Sequence, residues 1–168
     1  MKRFETIKKE NSKSTLKRYL FNLVPAYRRT GARISFISED FKEVHLKLRL
    51  KWTTRNYVGT VFGGSIYGAL DPIYMVQLIN ILGGKYVVWD KAATIKFIRP
   101  IKKKVFARFE ITDELIANIK KEITANKEME IELSVQFSDD DKITYATVVK
   151  NIYIADKEYY KQKKLSNS

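Results

Sequence analysis

Asn56-Tyr57-Val58-Gly59-Thr60-Val61-Phe62-Gly63-Gly64-Ser65-Ile66-Tyr67-Gly68-Ala69-Leu70-Asp71 leads through Pro72 into an apolar stretch that ends at Leu82. A Gly-Gly pair opens this almost wholly apolar segment, and its acid is Asp71. A carboxylate set into so apolar a run is costly to bury without a partner or a task. Glycines let backbone approach a ligand, and a helix start leaves amides unbonded. An apolar wall, unbonded amides and one acid are the parts of an acyl-transfer site.

Val61 to Leu82 is long enough to tempt a transmembrane reading. Gly63, Gly64, Gly68, Asp71, Pro72, Gln77 and Asn80 stand against it, because a central Asp on a lone spanning helix is expensive. A run that is apolar all round instead marks a helix buried on every side. Pro72 removes one helical hydrogen bond and presses on the carbonyl of Gly68, whose missing side chain leaves room for a bend. The other reading makes Asp71 the N-cap of a helix with Pro72 at its first position. Spacing does not choose between them.

On either side of this segment the period changes. Leu16, Tyr19, Leu20 and Leu23 lie at helical spacing before Pro25, after a polar start (residues 1 to about 14) that is expected to fray. Ala32 to Phe36 reads as a first strand. Val44, Leu46, Leu48 and Leu50 alternate with His45, Lys47, Arg49 and Lys51, which gives a strand with one buried and one wet face. Ala93, Ile95 and Phe97 repeat the alternation and Pro100 closes it; Val105 to Ile111 and Met129 to Phe137 follow suit. Residues 113–125 read as a helical connection, Asp139 to Lys142 as a hairpin turn, Ile143 to Ile154 as a last strand, and the basic tail after Asp156 as loose. One-faced strands suit an antiparallel sheet, and the only long cover for it is the apolar segment. The expected fold is α+β: a curved antiparallel sheet of about five or six strands wrapped around one long central helix.

The chain of 168 residues is the size of one domain. It has no cysteine, which excludes disulfides, thiolate zinc sites and a cysteine nucleophile. No apolar leader follows Met1, so a cytoplasmic location is expected. The net charge of +13 suits nucleic acid, anionic membranes or phosphorylated ligands. The lysines are nonetheless spread widely and no recognition motif accompanies them, so no specific nucleic acid is expected.

With these residues assembled, the chain resembles hotdog-fold acyl-CoA thioesterases of the phenylacetate-pathway type. Their pattern is Asn, Gly, His-Gly-Gly and a later Asp; Asn56, Gly59, Phe62-Gly63-Gly64 and Asp71 stand at those spacings. It is also similar to a poorly characterised thioesterase-like family through Gly59 to Ser65, Asp71-Pro72 and Trp89-Asp90-Lys91. The likeness spans about residues 30–155, and implies a tail and short helix over 1–29, a hotdog domain over 30–156 and a basic tail over 157–168. It further implies an acyl-CoA or other acyl-thioester substrate, no cofactor beyond the coenzyme A of that substrate, no metal, and a homodimer or dimer of dimers.

By the same resemblance Asp71 is nucleophile or general base, Asn56 positions water, the amide of Gly63 or Gly64 takes the oxyanion, and Asp90 assists from the partner chain. Phe62, Ser65, Tyr67, Tyr74, Trp89, Lys91 and Arg99 are candidate substrate contacts, with Lys102, Lys103 and Lys104 as a phosphate-binding rim. Phe62 replaces the motif His, so no histidine-based triad can form. His45, the single histidine, falls on the wet face of its strand. A non-catalytic acyl binder is the alternative, since an apolar ring suits binding better than proton chemistry.

Overall fold

The computed structural model describes residues 4, 6 and 8–166. In chain order the elements are α1 (Ser12–Leu23), α2 (Pro25–Arg29), β1 (Arg33–Ile37), β2 (Glu43–Leu48), a 3-10 turn (Trp52–Thr54), α3 (Gly63–Leu70), α4 (Ile73–Leu82), β3 (Tyr86–Phe97), β4 (Val105–Glu110), α5 (Asp113–Asn126), β5 (Glu128–Ser138), β6 (Thr144–Asp156) and α6 (Lys157–Ser166). The strands form one six-stranded antiparallel sheet in the order β1-β2-β4-β5-β6-β3. Together α3 and α4 bury Ile66, Ala69, Leu70, Ile73 and Leu78 against Val44, Leu46, Phe109, Val148 and Ile152 of the sheet. This is the hotdog arrangement.

The central helix is broken rather than continuous. Pro72 has no amide to give, so α3 closes with Asp71 N–H on Tyr67 O at 2.9 Å and α4 resumes with Val76 N–H on Pro72 O at 3.0 Å. Asp71 stays in the helical region as the last residue of the first half. Its side chain caps nothing in α4, which sets aside the N-cap reading.

Three further expectations are corrected. The start of the chain does not fray where it is described: Phe4 stacks on His45 at 4.8 Å, the Thr6 hydroxyl donates to Glu43 at 2.6 Å, and Glu39 N–H donates to Lys9 O at 2.8 Å. His45 is therefore 4% exposed, not wet; it bonds Glu43 at 2.6 Å and lies against Phe36. After Asp156 the chain is helical, because the Asp156 carboxylate accepts from the amides of Glu158 and Tyr159 and caps α6.

Strand β3 also departs from its pattern. Ala93 and Phe97 are exposed, and β3 is an edge strand paired only with β6. At the opposite edge, α1 turns its polar side inward. Asn22 meets the backbone of β1, donating to Ile34 O at 3.0 Å and accepting from Ile34 N–H at 2.9 Å. An edge strand leaves such groups unpaired, and the helix satisfies them at the cost of facing its leucines outward. Among the described residues no helix is long and apolar enough to cross a membrane.

Candidate functional site

The chain enters α3 through a loop closed by Asn56. Its side chain donates to Thr60 Oγ1 and accepts from Thr60 N–H, both at 2.9 Å, so its amide ties the loop rather than reaching toward a ligand. Phe62 N–H is held by Thr54 O at 2.8 Å. Phe62 carbonyl accepts from Ser65 and Ile66, which leaves the amides of Gly63 and Gly64 without an acceptor among the described residues. Phe62 offers no side-chain cap in their place.

Both glycines lie against exposed aromatic rings. A Cβ on Gly64 would sit 2.4 Å from the Phe62 ring, and one on Gly63 would meet the Phe97 ring at 3.2 Å. Beside them lies an open hollow of about 250 Å³, lined by Asn56, Gly63, Ile66, Phe97 and Arg99. Ser65 is buried, and Arg99 donates to Thr144 O at 2.8 Å.

At the far end of α3 the structure brings Asp71 and Asp90 to one cation. Lys150 Nζ donates to Asp71 Oδ1 at 2.6 Å and lies 3.1 Å from Asp90 Oδ2. Lys150 is 1% exposed, Asp90 20% and Asp71 41% at the side chain, so the site grades from sealed to open. A bulge between Asp90 and Ala92 interrupts the β3–β6 register and turns Asp90 toward the helix. Oδ1 of Asp90 and Oδ1 of neighbouring Asn151 are buried and accept no bond.

Burial pushes the Asp90 carboxyl above its ordinary range, and Asp71 adds repulsion, against the pull of Lys150. Burial also works to discharge Lys150, but the two acids outweigh it and hold the ammonium above its usual range. The Tyr67 phenol, raised by burial and by a hydrogen bond to Asp71, completes the cluster. One ammonium between two carboxylates leaves an excess negative charge at a half-open surface, which can hold water and take up a proton.

The remaining candidates scatter. Tyr74 is 4% exposed, donates to Ser134 O at 2.8 Å and packs edge-on to Phe109, so it is core and not a substrate wall. Trp89 is half exposed on β3. Lys91 pairs with Glu130 at 2.6 Å and leaves Asp90 to Lys150. Of the expected basic rim, Lys103 is held by Asp139 at 2.5 Å.

Lys150 is the residue that reading the sequence overlooks, and a signal for it exists. Val148, Lys150, Ile152 and Ile154 share one face of β6 by alternation, and all are at most 1% exposed. A lysine on a buried face requires carboxylates nearby. Among the described residues no cluster suits a metal ion.

The family described as "Domain of unknown function (DUF4442)" matches residues 12–154. No curated protein matches the chain. The fold is similar to that of a Pseudomonas aeruginosa protein of unknown function described as a probable thioesterase, at 18% identity and TM-score 0.75, over 85% of this chain and 95% of that one. A Chlorobaculum tepidum protein of unknown function is 20% identical with TM-score 0.66, over 84% and 93%. A Haemophilus influenzae thioesterase is 13% identical with TM-score 0.63, over 90% and 96%. Identities this low establish the shared fold.

Proposed function

We propose, from the premise that the chain belongs to the DUF4442 family, that it hydrolyses acyl thioesters at a site shared by two copies. The observation that carries this reading is the half-exposed Asp71 carboxylate held through one oxygen by buried Lys150, on a helix whose opposite end presents the unbonded Gly63 and Gly64 amides. Gly64 and Asp71 are separated along α3 by roughly 10 Å at ~1.5 Å per residue. One acyl carbon cannot lie near both. A single reaction centre therefore takes the amides from one copy and the carboxylate from the other, which the free edge of β3 permits by pairing with a second β3.

In this scheme Asp71 takes a proton from water as the water oxygen bonds to the thioester carbon. The amide of Gly63 or Gly64 stabilises the oxyanion, a donor typically worth ~3 kcal/mol in the transition state. Collapse breaks the carbon–sulfur bond, and the departing thiolate takes the proton back from Asp71. Lys150 orients Asp71 through one oxygen, and Asp90 and Tyr67 set the charge around it. Coenzyme A enters only as the leaving half of the substrate.

Asp71→Asn, assayed on a panel of acyl-CoA thioesters, is expected to lose at least ~100-fold in kcat. Equal rates in the two proteins would remove Asp71 from the chemistry. A second reading, a non-catalytic acyl binder, is favoured by Asp71 already being neutralised by Lys150 and by Phe62 over Gly64. Co-purified acyl ligand with no turnover of any thioester tested supports that reading instead.

A further inference from the structure

The outward face of α1 and the basic ground beside it serve no part of the site above. Leu16, Tyr19, Leu20 and Leu23 form a continuous apolar stripe, each between 56% and 60% exposed. The stripe runs along a helix about 18 Å long at ~1.5 Å per residue. At its C-terminal end Leu23 and Trp52, the latter 88% exposed, border one open hollow of about 670 Å³ with Arg28, Arg29, Arg33 and Lys51. A second hollow of about 240 Å³ shares Arg33 and Lys51 and adds Lys47, Arg49 and Lys104. Among the described residues none of these cations forms an ion pair, and no acid lines either hollow. Mutual repulsion with Arg49, Arg33 and Lys47, together with the larger effect of burial, lowers the Lys51 ammonium.

A stripe of leucines with an aromatic at its end is a packing surface, and its inverted helix shows that the chain's own core does not use it. The occupant is decided by charge. A second copy docked on this face would bring the same cations against themselves. A surface that combines anions with an apolar interior answers both features at once. We propose that the chain docks peripherally on anionic phospholipid bilayers, with Leu16, Tyr19, Leu20, Leu23 and Trp52 sunk into the interface and lipid phosphates held by the Arg33–Lys51 basic ground. Amphipathic helices bind in this way, lying in the plane of the headgroups, and each nearby Lys or Arg strengthens binding about fivefold.

The test is flotation of the full chain with vesicles of phosphatidylglycerol and phosphatidylcholine in equal parts, against phosphatidylcholine alone. Binding is expected only to the anionic vesicles, with a blue shift of Trp52 fluorescence in a Trp89→Phe background. Leu20→Asp/Leu23→Asp is expected to weaken it at least about tenfold, and Arg33→Glu/Lys51→Glu by about 25-fold or more. Leu20, Leu23 and Arg33 are exposed and Lys51 is half-buried, and unchanged thermal melting checks that the variants fold. Binding that survives loss of the leucines or that ignores vesicle charge overturns the proposal. So does a leucine variant that merely converts a dimer to a monomer without any vesicle binding in the parent.

Discussion

Asp90 pairs with a buried ammonium and yet keeps one oxygen unbonded inside the protein. Its carboxyl is raised when folded, so its contribution to stability is present below the unfolded value of 3.8 and lost as pH rises through the folded value. Asp90→Asn is expected to lower kcat by ~10-fold or more and to make the urea midpoint less dependent on pH as pH rises above the acid range; an unchanged dependence contradicts the assignment. His45 shifts the other way. Burial lowers it below 6.5, against the pull of Glu43, so the stability it contributes is complete above pH 6.5 and lost as pH falls through its folded value. Glu43, held low by Thr6, His45 and Arg108 against its burial, adds loss in the same direction at lower pH. Wild type should lose urea stability between pH 7.5 and 5.5, and His45→Gln should flatten that decline. A decline of equal size in both proteins assigns it elsewhere.

The start of α3 and the back of α1 show how elements are held by backbone demands. Phe62 has φ −60° and ψ 135°, a conformation that accepts a following proline, and Gly63 is the first helical residue. Gly63→Pro therefore deletes one amide donor with little strain, the added ring needing only a small shift of the exposed Phe97 side chain. If Gly63 supplies the oxyanion contact, kcat falls ~100-fold or more with the melting temperature nearly unchanged; full activity assigns the contact to Gly64. At the sheet edge, Asn22→Leu leaves the N–H and C=O of buried Ile34 unpaired and is expected to cost about 2–3 kcal/mol in urea unfolding. Rapid amide exchange at Ile34 in the variant would identify the cause.

At the largest scale, the proposed centre is incomplete in one chain. β3 offers a free 12-residue edge with Trp89 and Phe97 half uncovered, and the two halves of the proposed centre lie at opposite ends of α3. Mixing Asp71→Asn with Gly63→Pro protein should restore about a quarter of wild-type activity after subunit exchange, because half of the dimers then carry one intact site. No recovery despite demonstrated exchange places the reaction within a single chain. Sedimentation of wild type as a monomer at assay concentration has the same consequence.

Local pattern is enough for much of this architecture. Alternation marks β2, β4, β5 and β6, and the apolar run from Val61 marks the buried helix, because side-chain direction repeats with a period that the chain itself carries. Gly63, Gly64 and Asp71 likewise stand out as departures from their surroundings. Folding alone decides that Lys150 lies between Asp71 and Asp90, that His45 is covered by Phe4, and that α1 turns its leucines to solvent. Each of these depends on strand order, a bulge or an unpaired sheet edge, and those are set by contacts between residues distant in sequence, where no period in the chain can register them.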